Sequence, residues 1–589
     1  MSNFLGSLQK LDQTRLTGNV TFEPIKGWQT NLMLSTDRWT NHGQYYQTSK
    51  HYAQKINYHT GYASQWLDKG QSDNLEITSR YKHQWGEHRF EGMVGYSYQY
   101  NMYDGFSANN TNFMSDFFEY NNLGIGEYLK DGKAGMGSYK NDDKLIGFFG
   151  RVSYGYADKY NVLLSIRREG SSKFGDNNKW GSFPSASLGW TISNEEFMKA
   201  TRSWLSNLKL RAGFGVTGVI PSSSYLSLTK WELGSPYFYE NGKWNQGLKV
   251  GSNPNPDLKW EKSTEINVGL DWSVFDDRLS GTIDYYNKKT VDMLWWYTVP
   301  SPPNLYTSTL ANVGEMRNTG IEVAVTAVPV RTKDFEWKTT LTASHNSNKL
   351  LSLSNDLYES NSYYDEGYLG EPISLPTQRL EPGRSVGNFY GMKATGVSEN
   401  GFWMIENKET GESEEFTDNM LTDDKYHQYL GNALPKIVMG WGHQFTYKDF
   451  DLSFQLTGQF GFKILNEAKA YYENNAVAYN RMKSAAEAPF GDGHVLSVAQ
   501  KQTFTSYHLE NGDFVKLSNF TLGYNVPLKE NKFVKRLRAY VSGENLFCIT
   551  GYDGLDPELT NGDRTQFGID RRDKYPSSRT FTFGLNVTF

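Results

Sequence analysis

The chain has 589 residues, a net charge of −5, 15 % aromatic residues and a single cysteine, Cys548. One cysteine excludes an internal disulfide and a cysteine-based zinc site. No basic stripe or recognition motif points to nucleic acid, and no run of about 18 apolar residues offers a transmembrane helix. Mean hydropathy is low, at −0.63. That does not exclude a membrane protein, because a chain that crosses on strands shows lipid an apolar side chain only at every second position. Met1 to Gln9 has no charged region followed by an apolar stretch, so no signal peptide is read there.

Alternation is the dominant pattern. Weak hairpins are expected over Leu16 to Thr36 and Leu75 to Gln99. Ile146, Phe148, Val152 and Tyr154 then precede a turn at Ala157-Asp158-Lys159, followed by Tyr160, Val162, Leu164 and Ile166. A hairpin over Phe183 to Gly218 comes next. Ile266, Val268, Leu270 and Trp272 precede Phe275-Asp276-Asp277-Arg278, then Leu279, Ile283 and Tyr285. Ile321, Val323 and Val325 lead into Arg331-Thr332-Lys333-Asp334. Ile437, Met439, Trp441, Phe445 and Tyr447 are joined at Lys448-Asp449 to Phe450, Leu452, Phe454, Leu456 and Phe460. Phe514 to Phe547 is a further hairpin, and the chain closes on Phe581, Phe583, Leu585, Val587 and Phe589.

Short polar turns alternate with long connections, at about residues 100–143, 219–257, 291–315, 348–434, 463–512 and 548–576. This asymmetry predicts an all-β fold: a transmembrane antiparallel β-barrel with short periplasmic turns and long extracellular loops. About 17 strands are expected. Aromatic girdles explain the Tyr and Trp at strand ends, Trp295 and Trp296 among them. A soluble β-sandwich is the alternative, but it does not call for polar loops this long. Counting back from a last strand that ends in the periplasm, the first strand, Leu16 to Pro24, also runs down. Bacterial barrels normally have an even strand number, so further strands are expected from elsewhere to complete the wall.

Several segments, in order, resemble the SusC/RagA family of TonB-dependent transporters: Arg167 to Gly175 (RREGSSKFG), Lys179 to Ser187 (KWGSFPSAS), Asn253 to Glu261 (NPNPDLKWE), Asn312 to Glu322 (NVGEMRNTGIE), Gly512 to Asn519 (GDFVKLSN), Glu544 to Phe547 (ENLF) and Gly554 to Glu558 (GLDPE). The resemblance implies a 22-stranded barrel around a plug, of which this chain would supply strands 6 to 22. It implies outer-membrane import of a glycan or oligopeptide in a Bacteroidetes-type bacterium. The implied partners are a plug-bearing portion or chain, TonB acting through the plug, a SusD-like lipoprotein lid and outer-membrane lipid.

No enzyme is read. There is no G-x-S-x-G or H-E-x-x-H, and Gly126 to Lys133 misses the phosphate-loop spacing. Asp553, Asp556 and Asp563 are candidate calcium ligands on an outer loop, against the plainer reading of turn-forming aspartates. The acidic stretch Glu406 to Asp424 reads as a solvated loop face. Trp231, Tyr237, Tyr239, Trp244, Tyr363, Tyr364 and Trp403 are candidates for ligand or partner contact, against ordinary loop packing. Phe589 is read as the C-terminal aromatic recognised in barrel assembly and as a girdle residue. Ile464 to Met482 is expected to hold a short helix. A passive porin-like channel, a surface receptor or adhesin, and a secreted soluble β-enzyme remain as alternatives.

Overall fold

The computed structural model describes residues 5–238, 242, 244–354, 362–478, 480–528, 533–559 and 566–589. Seventeen strands belong to one sheet, the number expected from the sequence. The chain divides into two compact units: residues 1–188, 215–262 and 292–312, and residues 189–214, 263–291 and 313–589.

In the first unit, the strands Leu5–Ile25, Trp28–Gln47, Tyr62–Trp85, His88–Thr111, Gly135–Tyr156 and Tyr160–Ser171 pair antiparallel, each with the next. The register sets Val20, Leu32, Ile77, Tyr96 and Phe148 side by side across five strands. A residue and its direct cross-strand partner share one face, so this row is continuous apolar surface. Large side chains on that face, such as Leu16, Val20, Phe22, Phe148, Leu164 and Ile166, are more than half exposed. A water-soluble fold does not leave rows of this kind uncovered, whereas lipid satisfies them. The opposite face is polar and paired: Arg15 donates to Asp37 at 2.8 Å and Arg151 to Glu91 at 2.9 Å.

The second unit repeats the scheme. Leu279–Val291, Glu315–Arg331, Phe335–Ser352, Ile437–Tyr447, Phe450–Phe460, Phe514–Asn525, Arg536–Thr550 and Thr580–Thr588 pair successively. Val325, Leu341, Trp441 and Leu456 form its apolar row. On the polar face Arg211 donates to Asp271 at 2.7 Å and Asp284 at 3.1 Å, and Arg538 donates to Asp451 at 3.0 Å. Trp28, Trp85, Tyr447 and Phe450 stand exposed beside the short turns, at the ends of the apolar rows.

The strands outrun the apolar alternation. The first begins at Leu5, eleven residues before the alternating segment, and the stretch 100–143, expected as a loop, is strand to Thr111 and again from Gly135. A sheet that stands in water on both faces keeps its ladder without an apolar period, so the pattern fades while the pairing continues. Trp295 and Trp296 are not at the end of a spanning strand. They sit on a separate hairpin, Leu294–Thr298 against Ser308–Asn312. The expected helix is shorter, Glu467–Tyr472, capped by the Asn466 side chain and preceded by a strand, Lys463–Asn466. No helix among the described residues is long and apolar enough to cross a membrane.

Residues 362–434 and 463–512 are not open polar loops. The first carries a four-stranded and a three-stranded sheet, and the second gives two strands, Lys463–Asn466 and Leu509–Asn511, to a further three-stranded sheet with Ile569–Asp570. One buried cluster gathers Leu369, Phe389, Leu465, Tyr471, Phe504 and Ile569. A second gathers Met392, Trp403, Ile405, Phe416, Tyr426 and Leu496.

Candidate ligand-binding surface in the long loops

The ordered motifs converge on packing knots. In the first unit, Phe174 and Phe183 pack on Trp260 with ring centroids 4.9 and 5.1 Å apart, together with Leu258 and Leu310. Phe174, Phe183, Leu258 and Trp260 come from three of the motifs. Gly175 is required there, because a Cβ would lie 1.6 Å from the Pro256 carbonyl oxygen. The buried Lys173 ammonium donates to the carbonyls of Pro221 and Ser222 at 3.2 and 2.9 Å and lies 3.7 Å from Asp143. Asn312 donates to the carbonyls of Lys259 and Asp292, which ties a fourth motif to the third.

In the second unit, Lys516 reaches Asp556 at 3.3 Å and Glu558 at 2.9 Å, joining two further motifs. Phe514 and Tyr552 close a small core beside that ion pair. An ammonium therefore already compensates Asp556, one of the candidate calcium ligands. Asp563 lies outside the described residues. No group of three or more potential metal ligands occurs among the described residues.

The aromatic candidates separate. Trp231 is 67 % exposed on a hairpin, Trp231–Phe238 against Trp244–Val250, where Tyr237 pairs with Asn245 and Trp244 with Phe238. Tyr239 lies outside the described residues. Trp403 is 1 % exposed. It is a core residue of its loop, packed on Tyr507 and His508, and not a surface contact. Phe589 ends the chain exposed, one residue beyond the last strand.

Tyr363 and Tyr364 belong to an arrangement that sequence reading alone did not foresee. Tyr364 pairs with Leu380 in the four-stranded sheet, and Tyr363 leads into that strand. The Arg379 guanidinium is held between two rings, 3.5 Å from the centroid of Tyr363 and 3.8 Å from that of Tyr390. Asp365 accepts from it twice, at 2.7 and 3.0 Å. Burial works against the Arg379 charge, but the paired Asp365 carboxylate more than offsets this and raises its pKa. Asp424 accepts from Lys408 and from the Tyr390 hydroxyl, both at 2.6 Å, and these bonds hold its carboxyl below the usual range. The His427 ring stacks on Tyr390, with centroids 6.1 Å apart. Burial lowers its pKa, so the ring is neutral, and Nδ1–H donates to the Asp423 carbonyl at 3.1 Å. Tyr363, Asp365, Arg379, Tyr390, Asp424 and His427 line a cavity of about 260 Å³ together with Leu375 and Pro376. Arg379, Tyr390 and His427 lie on three strands of one sheet, separated in sequence by loops, and no spacing rule connects them.

Apolar rows on one sheet face, ionic pairs on the other, aromatic residues by the short turns and folded long connections define the wall of a membrane-spanning β-barrel. A family model described as "TonB dependent receptor-like, beta-barrel" matches residues 2–546, and the chain belongs to that family. Its place is the bacterial outer membrane. It is 31 % identical over 529 residues to TonB-dependent receptor P3 of Formosa agariphila, covering 86 % of this chain and 51 % of that protein. It is 31 % identical over 472 residues to TonB-dependent receptor SusC of Bacteroides thetaiotaomicron, covering 77 % and 44 %. The chain thus spans about half the length of these curated relatives. In fold it is similar to a chain of the RagAB peptide transporter, with a TM-score of 0.86 at 22 % identity, covering all of this chain and 63 % of that one.

Proposed function

We propose that the chain forms the wall and outer loops of a TonB-dependent importer of glycans or oligopeptides. In this reading a plug-bearing portion fills the barrel, TonB acts through the plug, and a SusD-like surface lipoprotein covers the loops. The observation that carries it is the family match along residues 2–546. The long loops add support. They are packed around two buried cores and hold a half-polar, aromatic-walled cavity, an investment in structure that a passive pore does not require. The polar sheet face, with its fixed ion pairs, would be the solute-facing side, and the apolar rows would face lipid. No catalytic step belongs to this reading.

The test is uptake. Deleting the gene in its host should abolish growth on one class of glycan or peptide and leave growth on simple nutrients intact. Complementation should require an intact TonB system. Unaltered growth on every such class, or TonB-independent complementation with ion conductance in planar bilayers, would replace the importer with a passive channel.

A further inference from the structure

We infer that the cavity beside Arg379 is a subsite for one ring of a neutral saccharide, a proposal that rests on the importer reading and names its substrate class. Three observations carry it. The first is charge. Asp365 and Asp424 face the cavity, but Arg379 and Lys408 compensate them, so the four charged groups sum to zero. Such a site offers little to a strongly ionic ligand, whose desolvation it would not repay.

The second is the division of the walls. Leu375 and Pro376 present apolar surface, while the Asp424 carboxylate and the His427 ring present hydrogen-bonding groups. His427 spends Nδ1–H on the Asp423 carbonyl, which leaves Nε2 of the neutral ring as an acceptor. A pyranose matches this division, with C–H faces that pack on apolar and aromatic surface and an equator of hydroxyls that both donate and accept. The third is size and rigidity. A cavity of about 260 Å³ has room for one ring. Its aromatic wall is fixed before any ligand arrives, because Arg379 is clamped by Asp365 and by both tyrosine faces. Preorganisation of this kind reduces the entropic cost of binding.

The experiment uses the complete polypeptide that contains this chain, purified in detergent. Hydrogen exchange of residues 362–392 and 418–432 is followed with D-glucose, D-mannose, D-galactose and D-xylose as probes, with galacturonate and tri-alanine as contrasts. A single ring should bind with a Kd of about 1–10 mM. At least one neutral sugar should slow exchange in both segments, and galacturonate and tri-alanine should not.

Two variants at exposed positions leave the cores intact. Thr422→Trp plugs the mouth, and Tyr363→Ala removes one wall. Each should weaken the protecting sugar at least ten-fold. The proposal is overturned if no neutral sugar protects, if galacturonate or tri-alanine protects better, or if Thr422→Trp binds as the parent does. The importer reading stands or falls separately, on TonB-dependent uptake. An importer that takes up peptides and shows no sugar protection would lose this proposal alone.

Discussion

His508 offers a quantitative test of how the long loops are packed. The ring is 3 % exposed and follows the strand-like Thr505, whose backbone N–H donates to Nδ1 at 3.2 Å in a capping box. Nδ1 also lies 3.3 Å from the Thr505 carbonyl oxygen, and it is burial that keeps the ring neutral. Burial, with Lys469 adding to it, pushes the pKa down to about 3, against an ordinary value of about 6.5. A folded pKa below the unfolded one gives stability that is fully present above about pH 6.5 and is lost as the pH falls toward 3. At pH 5 the opened segment binds a proton that the folded one refuses. The cost is about 2 kcal/mol, or roughly a 30-fold rise in the open population. Hydrogen exchange of residues 500–511 at pH 7.5 and pH 5, corrected for intrinsic chemistry, measures it. His508→Gln keeps a side chain able to accept from Thr505 and removes the titration, so its opening should hardly change with pH. Equal acid sensitivity in parent and variant would refute the reasoning.

Further substitutions test the wall and the knots. Leu164→Arg, on the apolar face, should destabilise the membrane-embedded protein by about 2–4 kcal/mol, whereas Ser165→Arg on the opposite face should cost far less. Denaturant titration in lipid vesicles reads the difference, and equal costs would mean that the faces are misassigned. Gly175→Ala forces its Cβ against the Pro256 carbonyl and should cost about 1–3 kcal/mol, seen as faster exchange in residues 172–179 and 252–260. Lys516→Met leaves Asp556 and Glu558 without their cation and should cost about 3–5 kcal/mol if the pair is fully desolvated, less to the extent that Glu558 is exposed. The Lys516→Met, Asp556→Asn, Glu558→Gln triple variant should recover part of the loss.

The strand count, the hairpins and the alternation of short and long connections were legible in the sequence because lipid on one face imposes a two-residue period on every spanning strand. Where lipid ends, the period ends, and so Leu5 to Arg15 and Gly135 to Lys144 pair as strand without announcing it. The motifs marked real convergence points, since Phe174, Phe183 and Trp260 meet in space. Their work is to lock loops together, as Gly175 against Pro256 and Lys516 against Glu558 show. Trp403 illustrates the limit of reading aromatics in polar surroundings. The acidic stretch that follows it folds back and buries it against residues about a hundred positions later, Tyr507 and His508, and no local pattern reveals such a contact. The Arg379 stack was hidden for the same reason: its partners Tyr363, Tyr390 and Asp424 come from separate loop segments.

The central claim is that this chain is the wall of a plugged, TonB-dependent importer. The most direct measurement is mass spectrometry of the native complex extracted in mild detergent with an affinity tag on the loops. A plug-bearing N-terminal portion, covalently continuous with this chain or separate, should travel with it together with a surface lipoprotein. A barrel of this chain's own mass, 67.2 kDa, with neither companion would contradict it.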